Sequence, residues 1–93
     1  MSEEIRIDID EKAAAGHYSN LAVISHNENE FVIDFIFAHP PKGVVTSRII
    51  TSPAHAKRLL KALRDNLEMF EKNFGPVKDT PEPPKLGLNF SKN

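Results

Sequence analysis

The apolar residues of this chain change their spacing at Ser52, and this change limits the folds that the chain can adopt. Before Ser52 they alternate with polar residues, which is typical of strands that bury one face. After Ser52 they recur every three or four residues, which is typical of an amphipathic helix. Strands followed by one long helix indicate an α+β fold. We therefore expect a single ββββα domain over residues 1–75, a four-stranded antiparallel meander with one long C-terminal helix packed on one face.

Four segments of the chain carry the strand-like alternation. They are residues 5–9, 17–25, 31–38 and 44–51. The polar residues 27–29 and the proline-containing residues 39–43 are predicted turns between the later segments. The connection over residues 13–16 is open to two interpretations, a loop or one helical turn.

The helix has recognisable ends in the sequence. Ser52 is a favoured N-cap residue, Pro53 suits the first helical position, and Gly75 with Pro76 closes the far end. Its apolar stripe consists of Ala56, Leu60, Leu63, Leu67, Phe70 and Phe74. Because a sheet of this kind needs a cover, we expect this stripe to be core.

Composition excludes several classes of function before any motif is considered. The chain has 93 residues, no cysteine and a formal net charge of -1. The absence of cysteine excludes disulfides and thiolate metal sites, and the near-neutral charge disfavours a general nucleic-acid coat or a polybasic membrane anchor. No apolar run approaches the roughly 20 residues of a membrane span, so we expect no membrane partner and a cytoplasmic location.

The last part of the chain, residues 76–93, differs in composition from the rest. It combines prolines with charged and polar residues, and we expect it to be a disordered, flexible tail. Within it Leu86, Leu88 and Phe90 alternate, as the residues of a strand do. This stretch could add as a strand to a sheet edge, or it could be a disordered end with three isolated apolar residues.

The turns allow the pairing of the predicted strands to be estimated. If residues 39–43 are all loop, Ala38 pairs with Val44, and counting back places Asp34 opposite Arg48. We also expect Ser25 to pair with Phe31 across the preceding turn, which places Leu21 and Val23 on the face beneath the helix.

The opposite face of the predicted sheet is neither polar nor cleanly apolar. It carries aliphatic side chains around an expected ion pair, and exposed apolar patches of this kind usually mark an interface. We therefore expect a homo-oligomer that pairs through this face. The predicted interface residues are Ile24, Val32, Asp34, Ile36, Val44, Arg48 and Ile50. The alternatives are an ordinary surface, or a face that the N-terminal strand covers.

Patterns for catalysis and metal binding are weak in this sequence. The four histidines are too widely separated to match the paired ligands of a zinc site. Ser47 and Ser52 lie outside any nucleophile-elbow sequence, and no glycine-rich phosphate loop is present. We expect no catalytic residues, no metal and no cofactor.

The charges on the predicted helix oppose its macrodipole. Four bases lie in its first half and three acids in its second half. A basic cluster at a helix N-terminus could hold an anion or a nucleic acid. The candidate contacts are Ser52, His55, Lys57, Arg58 and Lys61. The alternative is a solvated face whose bases pair with the acidic residues 1–12, and the net charge and few aromatic residues disfavour nucleic acid.

Several blocks of this sequence occur together in a known family. They are Tyr18-Ser19-Asn20, Glu30-Phe31-Val32-Ile33-Asp34-Phe35, Ser52-Pro53-Ala54-His55-Ala56-Lys57-Arg58-Leu59-Leu60 and Glu71-Lys72-Asn73-Phe74-Gly75. Over roughly residues 4–77 the chain resembles the prokaryotic domain-of-unknown-function family 3467. The resemblance carries over no catalytic or binding residue, because the family is uncharacterised. It implies that Tyr18, Asn20, Asp34, Ser52 and His55 belong to the family pattern.

The function expected from these observations is a non-enzymatic, oligomeric binding or adaptor module with a protein or peptide partner. One alternative is a chaperone that binds unfolded polypeptide, because antiparallel strands followed by a long helix are similar in architecture to SecB. The other alternative is anion or nucleic-acid binding through the basic half of the helix.

Overall fold

The computed structural model describes residues 3–78 and confirms an α+β fold with an antiparallel sheet and a C-terminal helix. Its elements in chain order are α1 (Glu11–Ala15), β1 (Leu21–His26), β2 (Phe31–His39), β3 (Lys42–Thr51) and α2 (Pro53–Phe74). The chain divides into two compact units after Arg58. The prediction of one domain over residues 1–75 stays a prediction. The predicted tail lies outside the described residues from position 79 onward, together with Leu86, Leu88 and Phe90.

The sheet has three strands in the order β1-β2-β3, so the prediction of four strands is wrong for the described residues. The missing strand is the first one, residues 5–9. Ile5, Ile7 and Ile9 are 82%, 87% and 69% exposed and belong to no strand. The chain instead enters α1, where the Asp10 carboxylate accepts a hydrogen bond of 2.7 Å from the Ala13 backbone N–H. Alternation makes a segment suitable for a strand, but a strand also needs a neighbour to pair with.

The pairing of β1 with β2 differs by one residue from the prediction. Ser25 lies opposite Val32, rather than Phe31, and Val23 lies opposite Asp34. Because successive side chains of a strand point to opposite faces, this shift moves every side chain of β1 to the other face of the sheet. Leu21 and Val23 therefore share a face with Asp34.

The pairing of β2 with β3 places Asp34 opposite Arg48, as predicted. Nearer the turn the prediction is wrong, because Ala38 pairs with Gly43 rather than with Val44.

A β-bulge in β3 separates the region around Asp34 from the region near the turn. Phe35 pairs with Ser47 and Ile36 with Val45, which leaves Thr46 as the extra residue. The Thr46 hydroxyl donates to the carbonyl of Phe35 at 3.0 Å. The turn itself shortens to Pro40-Pro41, joined by a cis peptide bond.

These pairings define two faces of the sheet, since residues directly opposite each other share a face. The Asp34 face carries Leu21, Val23, Val32, Asp34, Ile36, Val45, Arg48 and Ile50. The Ile33 face carries Ala22, Ile24, Phe31, Ile33, Phe35, Phe37, Val44 and Ile49. The buried residues of the described chain are Ile33, Asp34 and Ile36, so the centre of β2 forms its small core.

The ends of α2 confirm the helix signals of the sequence. The Ser52 hydroxyl accepts from the His55 backbone N–H at 3.1 Å, and the helix ends before Gly75, whose φ is +88°. We call Ala56, Leu60, Leu63, Leu67, Phe70 and Phe74 the α2 seam. From Leu60 onward its members are 46–76% exposed, and the prediction that the stripe is core stays a prediction. The packing of the helix on one face of the sheet stays a prediction.

The Asn20 side chain closes one end of the β1–β2 ladder. Its amide oxygen accepts from the Ala38 backbone N–H at 2.8 Å, and its amide nitrogen donates to the Ala38 carbonyl at 2.9 Å. The side chain thereby bonds both backbone groups of Ala38, as a neighbouring strand would.

We expect Asn20→Ala to lower the free energy of unfolding by about 1–2 kcal/mol, because both backbone groups of Ala38 lose their partner. Urea unfolding at a fixed protein concentration measures the change. Asn29→Ala is the matched control, since the exposed Asn29 bonds through its backbone N–H, and it should change stability by less than about 0.5 kcal/mol. Equal losses in the two variants would contradict this role of Asn20.

Candidate functional site

The ion pair between Asp34 and Arg48 is the most strongly organised polar feature of the sheet. Asp34 comes from the central strand β2 and Arg48 from the opposite position of β3. Arg48 Nε donates to Asp34 Oδ1 at 2.7 Å, and Arg48 Nη2 donates to Asp34 Oδ2 at 2.9 Å. This two-point geometry matches the fork of the guanidinium to the carboxylate. The Asp34 side chain is 8% exposed, whereas the Arg48 side chain is 60% exposed.

The ion pair shifts the protonation of both partners. The hydrogen bonds from Arg48 hold the pKa of Asp34 below its ordinary value, and the burial of the carboxyl opposes this shift without reversing it. The hydrogen bonds and negative charge of Asp34 raise the pKa of Arg48. Asp34 is therefore ionised at neutral pH, and both of its oxygens are occupied. A carboxylate in this state is suited to fixing strand register rather than to accepting a proton from a substrate.

Five of the seven predicted interface residues lie together on the Asp34 face, and two do not. Val32, Asp34, Ile36, Arg48 and Ile50 share that face. Ile24 lies on the Ile33 face because the pairing of β1 is shifted by one residue. Val44 lies there as well, because the bulge reverses the phase of β3 before Ser47. The sequence holds no clear signal for this bulge, since Ile49 and Ile50 are adjacent in the same strand and pair without one.

The predicted anion contacts divide into two groups. Ser52 and His55 are engaged at the start of α2, where Ser52 caps the helix and His55 Nδ1 lies 2.6 Å from the Thr51 hydroxyl. Sequence reasoning missed Thr51 as the partner of His55. Lys57, Arg58 and Lys61 follow on exposed positions of the helix, and Lys61 Nζ lies 3.8 Å from Asp65. Anion binding by these three bases stays a prediction.

The residues that the family resemblance singles out all make structural contacts. Tyr18 packs edge-on against Phe37, with 6.0 Å between the ring centroids. The other four are Asn20 at the end of the β1–β2 ladder, Asp34 in the ion pair, and Ser52 and His55 at the start of α2. The pattern therefore marks the positions that terminate, align and connect elements of the fold.

Within residues 3–78, no group of three or more histidine and acidic side chains is arranged to hold a metal ion. Among the helices of that same stretch, none combines the length and apolarity needed to cross a membrane.

The family model described as "Protein of unknown function (DUF3467)" matches residues 1–79. The match covers most of the chain and includes every described element, so the chain belongs to this family, as its sequence blocks indicated. Comparisons with curated proteins and with solved structures found no significant match.

The depressed pKa of Asp34 predicts a specific dependence of stability on pH. A carboxyl group whose pKa is lower in the folded chain stabilises it above the unfolded pKa of about 3.9. That contribution is lost as the pH falls through the lower, folded pKa. In urea unfolding between pH 7 and pH 2, we expect Asp34→Asn to be less stable than the wild type at neutral pH and to lose less stability on acidification.

The control for this pH prediction is Asp65→Asn, which removes an exposed carboxylate that lies 3.8 Å from Lys61. Exposed pairs of this kind contribute little, so its stability profile should follow that of the wild type. If Asp34→Asn and the wild type gave parallel profiles, the ion pair would not be a source of the acid sensitivity.

Proposed function

We propose that this member of the DUF3467 family is a cytoplasmic, non-enzymatic binding module that acts as a homo-oligomer. The observation that carries the proposal is the small core. Ile33, Asp34 and Ile36 are buried in residues 3–78, whereas large apolar side chains are exposed on both faces of the sheet and along α2. A chain of this size that buries so little apolar surface alone gains its stability by covering more of it in an assembly.

The Asp34 face is the surface that we assign to the contact between copies. Val45 and Ile50 are exposed on it beside the guanidinium of Arg48. Burying an arginine at an interface is costly when it is unpaired, but Arg48 already forms two hydrogen bonds with Asp34. The pair can therefore be enclosed while the aliphatic side chains around it pack against a second copy.

A non-enzymatic role is supported by the way in which the candidate reactive groups are used. Both oxygens of Asp34 are bonded to Arg48, and the His55 ring is held by Thr51. Groups engaged in this way support a fold rather than exchange protons with a substrate.

A second candidate function is the binding of unfolded polypeptide, as in the SecB-like alternative. It is favoured by exposed apolar side chains on both faces of the sheet, including Phe37 and Ile49 on the Ile33 face. An assay for suppressed aggregation of a denatured protein tests it. Suppression that persists in high salt supports apolar binding, whereas the separately measured binding of phosphate or nucleic acid by Lys57, Arg58 and Lys61 would fall steeply with salt.

Ile50→Asp tests the proposed interface. Ile50 is 58% exposed on the Asp34 face, and a carboxylate there loses its hydration when the face is covered, which opposes association. Light scattering should give an oligomer for the wild type at micromolar concentration and a smaller species for the variant.

Ile24→Asp is the matched control, because Ile24 is 59% exposed but lies on the Ile33 face. It should leave the assembly intact. A monomeric wild type would overturn the proposal, and dissociation by Ile24→Asp alone would move the interface to the other face.

A further inference from the structure

We propose that α2 pairs in antiparallel orientation with α2 of a second copy through the α2 seam. The inference rests on the homo-oligomer proposed above and names a contact within it. The seam residues follow one another at alternating steps of four and three. This is the spacing that keeps apolar side chains facing a second helix along a shared axis. The helix has 22 residues and is therefore roughly 33 Å long, enough for about three turns of seam on each side of its centre.

The seam is available for such a contact. Its leucine and phenylalanine members are each close to half exposed or more, and no residue of α2 is buried. Phe70 and Phe74 lie against each other with 5.1 Å between their ring centroids, so the C-terminal end of the seam presents a continuous aromatic surface. An exposed apolar stripe of this length is typical of an association surface.

The charges of α2 select the orientation of the second helix. The first half carries Lys57, Arg58, Lys61 and Arg64, and the second half carries Asp65, Glu68, Glu71 and one base, Lys72. Lys57, Arg64 and Glu71 flank the seam on one side, and a parallel neighbour would place this charged flank beside the uncharged flank of the other helix and form no ion pair. An antiparallel neighbour places the basic half of each helix beside the acidic half of the other.

Antiparallel pairing also accounts for the charge order that opposes the macrodipole within one helix. The start of the basic half of each copy, at Lys57, then lies beside the last turn of its neighbour, where the helix carries partial negative charge. An arrangement that is unfavourable in the isolated helix becomes favourable in the pair.

The side-chain sizes along the seam fit one antiparallel register. In it Leu63 meets Leu67 of the second copy, Leu60 meets Phe70, and the small Ala56 meets the large Phe74. Each contact occurs twice because the pair is two-fold symmetric.

The same register places Lys57 beside Glu71 of the second copy on the flank of the seam. It also brings the two Arg64 side chains close together near the two-fold axis. On each helix Glu68 lies one turn after Arg64 and offsets that repulsion.

The absence of cysteine makes this register directly testable by disulfide cross-linking in the full chain. Asn66 and Asn73 occupy equivalent positions on the same flank of the seam, about two helical turns apart, and both are exposed. In the antiparallel register Asn66 lies beside its own counterpart, whereas the two Asn73 residues are separated by roughly 20 Å. In a parallel pair the two positions are equally close to their counterparts.

We therefore expect Asn66→Cys to form a disulfide-linked dimer under mild oxidation and Asn73→Cys to remain unlinked. Linkage of both variants, of neither, or of Asn73→Cys alone would overturn the antiparallel pair. Light scattering of the cysteine-free wild type separates the two proposals. An oligomer without the expected cross-link overturns only the helix pairing, whereas a monomer overturns the homo-oligomer as well.

Charge reversal provides a second readout that does not depend on oxidation. Lys57→Glu and Glu71→Lys should each weaken dimerisation by roughly 3- to 10-fold, because each places like charges together at two symmetric sites. The double variant should recover most of the affinity, measured by sedimentation. Failure of the double variant to recover, with each single variant weakened and folded by circular dichroism, would contradict the proposed register.

Discussion

The hydrogen-bonded ion pair between Asp34 and Arg48 is the constraint on which the arrangement of the sheet depends. It joins the central strand to β3 at directly opposite positions, and the buried carboxylate is supported by both hydrogen bonds. A slip of one residue between these strands would leave Asp34 buried without its partner, which is a large cost for a charged group. The pair therefore fixes which residues of β2 and β3 share a face between the bulge and the end of the sheet, and the interface that we propose on the Asp34 face depends on it.

Much of the fold follows from local signals in the sequence. The helix ends and the existence of β1, β2 and β3 were predictable, because capping residues and alternation act over a few neighbouring positions. The pairing of Asp34 with Arg48 was predicted by counting from a turn that is shorter in the structure, and the extra residue Thr46 in β3 offsets that difference. The fourth strand and the pairing of β1 were not predictable. These depend on which partner a segment finds, and Ile5, Ile7 and Ile9 have the same pattern whether or not a neighbouring strand is present.

The ion pair of the candidate site was predictable from the sequence, but the set of residues that share its face was less so. Counting back from the turn placed Asp34 opposite Arg48, whereas Ile24 and Val44 were assigned to the wrong face because one register shift and one bulge each reverse the alternation. Ser52 and His55 were considered as ligand contacts, although the residue types that bind anions at a helix start also cap it.

The extra residue at Thr46 allows two properties of the sheet, the bend of β3 and the pairing of its strands, to change independently. Every pair on either side of it, from Phe35 with Ser47 to Ile36 with Val45, would persist if that one residue were absent. Relatives of this chain could therefore gain or lose a residue there without any strand exchanging its partners. The bend of β3 would change while the ladder stayed the same, so the curvature of the sheet is free to vary in evolution independently of its pairing.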